Sequence, residues 1–396
     1  MDRKGQDGRA GMSDALAAHL AAWGLRPFTG DDAYFQWQRN TLSSRDLNEL
    51  HLCVERKRSG QPSDEIAFYN LTADPAILPV LYSQRYGYYG AVGPLVAARL
   101  GGAQTVLDFG CGVGILTTFY AARYPDKTFV GLDRSPVSIE AARRKTEQFG
   151  LRNLRFECVD LDRQQIGGTY DCVVATHALL QAEQDPGIPS LDWTTFERAH
   201  DPEAQAGFEE RTGLGVRLDQ LRTVLAPGGR MLVFEKTRQL ARRIPFQRSL
   251  AARGLSLTEQ PVPVRYRTVE EISDDGPLYA VHSGEGQAGV WNEAPEPDEG
   301  LPFDPATFVS SESEEPLYEN HHPSAQEVWR RLGDRSVVKE QTRTEPDGRQ
   351  LHVELGRSAF GVYLYCANTY DQRQFVLVDP AKAAMVESYY QDIVGG

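Results

Sequence analysis

The chain has 396 residues, of which 41% are hydrophobic and 24% charged, and a formal net charge of −13. That length holds two domains, or one domain with large additions, and the acidic balance disfavours a phosphate-backbone substrate. No apolar run approaches the roughly 20 residues of a membrane span, and five scattered cysteines without a CxxC pair point to a reducing cytoplasm with no disulfide framework and no metal site.

In chain order, the polar, glycine-rich residues 1–11 read as a disordered lead-in. Ser13 can cap a first helix that Gly24 ends, and residues 12–100 as a whole read as a mostly helical extension covering a substrate. Within it, VLYSQRYGYYG gathers Tyr82, Tyr86, Tyr88 and Tyr89. Such tyrosines either hold a cationic group through their ring faces and hydroxyls or simply pack a helix onto a sheet.

From Thr105 strands and helices alternate. TVLDF, TFVGLD, LRFECVDL, YDCVVATHA and GRMLVFEK read as five strands, with helices over GILTTFYAARYP and SPVSIEAARRKTEQFG. Ser135 as cap, Pro136 in the first turn and Gly150 at the end mark the second helix. Parallel strands joined by helices imply an α/β, doubly wound sheet over residues 101–284, with PVRYRTVEEI and PLYAVHSG as closing strands around SDDG. The segment 180–220 is longer than a simple crossover and carries Trp193 and Phe196, as a lid over an acceptor would. Residues 285–316, rich in Pro, Gly, Ser and Glu, read as a linker. Residues 317–396 read as a small α+β domain, with four strands and flanking helices and with dimerisation or substrate capping as its candidate roles.

The loop VLDFGCGVG decides which ligand the sheet serves. A strand-to-helix loop directs backbone N–H groups and a helix dipole at a ligand, and glycine lets that ligand approach. Gly110 and Gly112 fit a dinucleotide fingerprint, but the third position is Ile115, with Gly114 one residue early, and no Gly-Lys-Ser/Thr phosphate loop is present.

The pattern Asp-x-Gly-x-Gly-x-Gly resembles motif I of the class I S-adenosylmethionine-dependent methyltransferases, and the resemblance extends over about residues 82–283. It implies a Rossmann-like, seven-stranded sheet whose last strand is antiparallel, and S-adenosylmethionine as cofactor. On it, Asp108 organises the loop and the methionine-end ammonium, and Gly110, Cys111, Gly112 and Gly114 meet the ligand by backbone. Asp133 receives the ribose hydroxyls beside Arg134, Asp160 and Leu161 lie by the adenine, and Thr176 lines the methionine end. Tyr86 caps the cofactor, while Tyr82, Tyr89, Trp193 and Phe196 face the acceptor. His177, just after the fourth strand, is the candidate base or acceptor contact, and Glu235, ending the fifth, the candidate partner for a cationic or hydroxyl acceptor. For both, a structural role at a strand end is the alternative.

ATHA after the fourth strand is not the Asn/Asp-Pro-Pro-aromatic run of amino-directed DNA enzymes, and no Pro-Cys or Thr-Cys nucleophile is present. The expectation is methyl transfer to a small-molecule acceptor in the cytoplasm, without nucleic acid or membrane, by a chain that could form a homodimer. The alternatives are a protein methyltransferase that docks its partner through the C-terminal domain, and a non-catalytic cofactor-binding protein.

Overall fold

The computed structural model describes residues 3–58, 62–161, 163–180, 185–284, 289–296, 300, 302–308, 315–345 and 348–395. The tip of the expected lead-in, residues 181–184 of the expected lid, residues 285–288, 297–299, 301 and 309–314 of the expected linker, and Pro346 and Asp347 of an expected turn lie outside the described residues. Among those described, no helix is long and apolar enough to cross a membrane.

The chain divides into two compact units, the first comprising residues 1–185, 209–238 and 248–291. It opens with six helices, α1 (Arg3–Ala22), α2 (Asp31–Thr41), α3 (Ser44–Lys57), α4 (Pro62–Thr72), α5 (Leu78–Ser83) and α6 (Tyr86–Ala97). Local chemistry sets some of the starts. At α3, Ser43 accepts from the Asp46 N–H while the Asp46 carboxylate accepts from the Ser43 N–H, a reciprocal box that satisfies two otherwise orphaned donors.

The sheet follows. β1 (Thr105–Phe109), β2 (Thr128–Asp133), β3 (Leu154–Cys158), β4 (Tyr170–Thr176) and β5 (Leu225–Phe234) pair in parallel, connected through α7 (Ile115–Arg123), α8 (Pro136–Gln148), α9 (Pro202–Thr212) and α10 (Leu214–Val224). After α11 (Leu240–Ala252) come β6 (Leu255–Leu257), β7 (Val262–Arg267) and β8 (Ile272–Ser283). The order β3-β2-β1-β4-β5-β8-β6 puts seven strands on one path, with β8 antiparallel to β5 and β7 attached to β8 as an eighth strand. SDDG, expected as the turn before β8, instead runs inside that strand, where a register shift and Gly276 (φ 123°) accommodate it.

Val106, Leu107, Val173, Val174, Leu232 and Val233 are at most 1% exposed, which is what a parallel sheet covered on both faces demands. Leu16 and Leu20 of α1 and Val92 and Val96 of α6 pack into the same core. Burial of this apolar surface, rather than local propensity, holds the N-terminal helices in place.

The second unit comprises residues 186–208, 239–247 and 292–396. Its sheet is antiparallel, built from β9 (Tyr318–His321), β10 (Ser336–Thr344), β11 (Gln350–Ser358), β12 (Gly361–Asn368) and β13 (Arg373–Val378) in the order β10-β11-β12-β13-β9. α12 (His322–Arg331) contributes Ala325 and Val328 to one core with Tyr363, Tyr365 and Phe375. α13 (Ala383–Gly395) contributes Val386 and Tyr390 to the other, with Val353, Leu355 and Leu364. The alternation of inward and outward side chains along β12 thus feeds two cores, one per face.

Candidate active site

Gly110, Gly112 and Gly114 all adopt left-handed backbone, with φ of 70°, 56° and 81°. The three differ in what surrounds them. A Cβ on Gly110 would lie 2.3 Å from the Ala178 Cβ and one on Gly114 2.5 Å from Phe156 Cζ, whereas one on Gly112 would meet nothing within 4 Å. Close packing explains the outer two glycines, and open space above the backbone distinguishes the middle one. Gly110 and Cys111 both donate their N–H groups to Leu132 O, fastening the loop to β2. Burial, with Asp133 and Asp108 nearby, pushes the Cys111 thiol well above its ordinary range, so it is no thiolate nucleophile.

Two carboxylates flank the loop. Asp108 is 5% exposed and accepts from Thr117 Oγ1 at 2.6 Å. Among the described residues no cationic side chain pairs with it, and burial raises its carboxyl to about 7. Asp133 accepts from Gly112 N at 2.9 Å through Oδ2 and from Ser135 N at 2.8 Å through Oδ1. Burial raises its carboxyl as well, and those two N–H bonds oppose the shift. Each oxygen of a carboxylate has two lone pairs, so both keep acceptor capacity. Arg134 turns away to pair with Glu65 of α4 at 2.5 Å. Asp160 lies beyond β3 with Arg163 at 3.6 Å, and Leu161 is buried, its carbonyl receiving Gln220 Nε2 at 2.7 Å.

Beyond β4 and β5 the unit assembles a polar network that the sequence announced only in part. His177 has φ 54°, an uncommon conformation for a non-glycine residue and one that recurs at functional sites. Its Nδ1 receives Arg85 Nη2 at 2.6 Å, and its Nε2 lies 3.1 Å from Asp275 Oδ2. The Tyr266 hydroxyl donates to the same Asp275 oxygen. The imidazole stacks on Tyr88 with ring centroids 5.2 Å apart, and Arg85 sits 4.4 Å above the other ring partner of that stack, Tyr88 itself. Burial lowers the His177 pKa to about 4, against the nearby Asp275 carboxylate, which raises it. The ring is therefore neutral near pH 7, accepting at Nδ1 and presenting Nε2–H to Asp275. Arg85 is exposed, and one hydrogen bond leaves most of its five N–H donors for a ligand.

Glu235, expected to face an acceptor, is 1% exposed and accepts from the Ala178 and Leu179 N–H groups at 2.7 Å each. Its carboxylate holds the turn that carries His177. Burial raises its carboxyl to about 7, opposed by those N–H bonds. Thr176 ends β4. Tyr89 is buried against Tyr88, while Tyr82 and Tyr86 are half-buried against the same core. Trp193 and Phe196 belong to the second unit, where Trp193 stacks on His352 and Phe196 lies under Arg373.

Arg85, Asp275 and Tyr266 are the site residues that sequence reasoning missed. Arg85 had a signal, a cation amid four tyrosines. Asp275 and Tyr266 had none, because their position depends on β7 and β8 folding back beside β5.

Residues 106–191 match the family model described as Methyltransferase domain. The chain is 36% identical over 70 residues to malonyl-[acyl-carrier protein] O-methyltransferase of Acetivibrio thermocellus, which covers 18% of this chain and 24% of that protein. It is 35% identical over 88 residues to trans-aconitate 2-methyltransferase of Deinococcus radiodurans, covering 22% of this chain and 32% of the relative. A tRNA (guanine-N(7)-)-methyltransferase of Rubrobacter xylanophilus is 29% identical over 126 residues, or 32% of this chain and 48% of that one. The chain thus spans from about a quarter to a half of these relatives' length. Among solved structures, the N-methyltransferase NodS from Bradyrhizobium japonicum, in complex with S-adenosyl-L-homocysteine, aligns over 49% of this chain and 85% of its own, with 16% identity and a TM-score of 0.35.

Proposed function

We infer that this chain, whose central segment is similar to class I S-adenosylmethionine-dependent methyltransferases, binds that cofactor at the β1–α7 loop and transfers its methyl group to a small-molecule acceptor. The observation that carries the reading is the open, left-handed Gly112 between two acids, buried Asp108 and half-buried Asp133. A buried carboxylate without a cationic partner fits a ligand that brings its own positive charge, and S-adenosylmethionine has an ammonium and a sulfonium. A second carboxylate with spare lone pairs at a strand end fits a ribose diol.

Bound there, S-adenosylmethionine would supply an electrophilic methyl carbon with a neutral thioether as leaving group. The protein's part is to align the acceptor and exclude water. Asp133 would hold the ribose, Asp160 and Leu161 the adenine side, and Asp108 and Thr176 the methionine end, with Tyr86 covering it. Tyr82 and Tyr89 remain the proposed acceptor contacts on this unit. His177 and Glu235 act by position: both ring nitrogens of His177 face protein groups, and Glu235 holds the turn beneath it. Arg85 keeps donors for a ligand and favours an acceptor or cofactor end bearing a carboxylate. The names of two relatives, a malonyl-carrier and a trans-aconitate methyltransferase, support a carboxylate-bearing acceptor.

Isothermal titration with S-adenosylmethionine and S-adenosylhomocysteine tests the cofactor, and absence of binding to either defeats the reading. Transfer of labelled methyl groups in a cell extract tests the acceptor. Label in the small-molecule fraction is the expected result, while label confined to protein or RNA would assign a macromolecular acceptor instead.

A further inference from the structure

The second unit carries three ligand-type side chains on one face of its sheet, with no part in the chemistry above. Glu340 of β10 stands directly opposite Glu354 of β11, and His352 lies two residues along from Glu354. Two carboxylates facing each other across a strand pair repel unless a cation lies between them. One ligand atom from each of Glu340, His352 and Glu354 falls within 4.8 Å of the other two.

The surroundings orient these atoms. His352 is 2% and Glu354 3% exposed. Glu354 Oε1 is taken, receiving the Tyr363 hydroxyl at 2.5 Å and Trp329 Nε1 at 3.1 Å, with Arg335 at 4.0 Å. Oε2 is left to face His352 Nε2 at 3.6 Å, too long for a hydrogen bond. That nitrogen is buried and has no hydrogen-bond partner. The other ring nitrogen, Nδ1, bonds Thr342 Oγ1 at 2.8 Å, and the ring stacks on Trp193 at a centroid distance of 3.6 Å and an angle of 2°. With Nδ1–H donating to the threonine, Nε2 keeps its lone pair, the tautomer a metal ligand needs. Two ligand atoms on a tetrahedral zinc ion lie about 3.4 Å apart, close to the 3.6 Å between His352 Nε2 and Glu354 Oε2.

We propose that Glu340, His352 and Glu354 bind a divalent transition metal, zinc in the first instance, which ties edge strand β10 to β11 and leaves a fourth position to water. Thr342, Tyr363 and Trp329 form the outer ring of hydrogen bonds that aims the ligands. Its role is a staple for an edge strand, adding a metal link through exposed Glu340 to the Thr342–His352 hydrogen bond that already joins β10 to β11 on this face.

The test uses the full chain, purified without a histidine tag, stripped by chelator and titrated with zinc against a chromophoric competitor. The expected result is one zinc per chain and a rise in the unfolding midpoint on addition of zinc. Glu340→Gln, an exposed substitution that leaves the metal-free fold intact, should weaken zinc binding by more than about tenfold and abolish that rise. Cobalt in place of zinc should give the strong visible bands of a tetrahedral site in the parent chain and lose them in the variant. A chain that takes up no stoichiometric zinc, or a Glu340→Gln variant that binds zinc and gains stability like the parent, would overturn the assignment.

Discussion

Gly112→Ala and Gly110→Ala are the same chemical change two residues apart, and the structure assigns them opposite consequences. Both positions have left-handed backbone, so each alanine costs about 1–2 kcal/mol of folding stability. At Gly110 the new methyl would sit 2.3 Å from the Ala178 Cβ, far inside contact distance, and relieving that overlap adds about 1–3 kcal/mol. At Gly112 nothing lies within 4 Å, so no such addition arises. Urea unfolding should therefore show Gly110→Ala losing about 2–5 kcal/mol and Gly112→Ala no more than about 2. Binding should reverse the ranking per unit of stability lost. The Gly112 methyl occupies space that the cradle leaves for a ligand, and should weaken S-adenosylhomocysteine affinity by about a hundredfold, equivalent to about 3 kcal/mol. Titration calorimetry on the folded Gly112→Ala variant reads this directly. Parent-like affinity would refute the assignment of the open space above Gly112 to the cofactor.

Asp108, with its carboxyl raised to about 7, should bind a cationic ligand better once ionised. Affinity for S-adenosylmethionine is then expected to fall by up to about tenfold per pH unit below 7, with proton release visible as a buffer-dependent heat; Asp108→Asn should flatten this profile. Glu235→Gln keeps an acceptor oxygen for the Ala178 and Leu179 N–H groups and should retain turnover within about tenfold, whereas Glu235→Ala orphans both donors at a cost on the order of 2–5 kcal/mol. Complete loss of turnover in a stable Glu235→Gln protein would show that the carboxylate takes a proton. His177 has a folded pKa lowered to about 4 from 6.5, so the unfolded chain binds the extra proton between those values. Stability from this group is whole above pH 6.5 and is lost as pH falls towards 4, on the order of 3 kcal/mol in total. His19, lowered to about 4 chiefly by burial, acts in the same window, so His177→Gln should reduce the acid-side slope of urea midpoints without removing it.

Local chemistry alone determined much of the first unit. A run of β-branched and aliphatic residues ending in an acid, a loop whose glycines sit at alternate positions, and a capped helix after the next strand are features of neighbouring residues, and Asp108, Gly112 and Asp133 emerge at the loop where they were expected. Burial pushes the Cys111 thiol up, which disfavours a thiolate nucleophile there. What the sequence could not decide was which distant groups share a pocket. Arg85, His177, Tyr266 and Asp275 span 190 positions of chain and meet only because β7 and β8 fold back beside β5. Nor could periodicity say that Glu235 points inward to backbone N–H groups, since a strand-end acid looks the same whether it faces a ligand or a turn. The pairing of Glu340 with Glu354 is of the same kind. Strand register, fixed by the packing of a whole sheet, brought those carboxylates and His352 together.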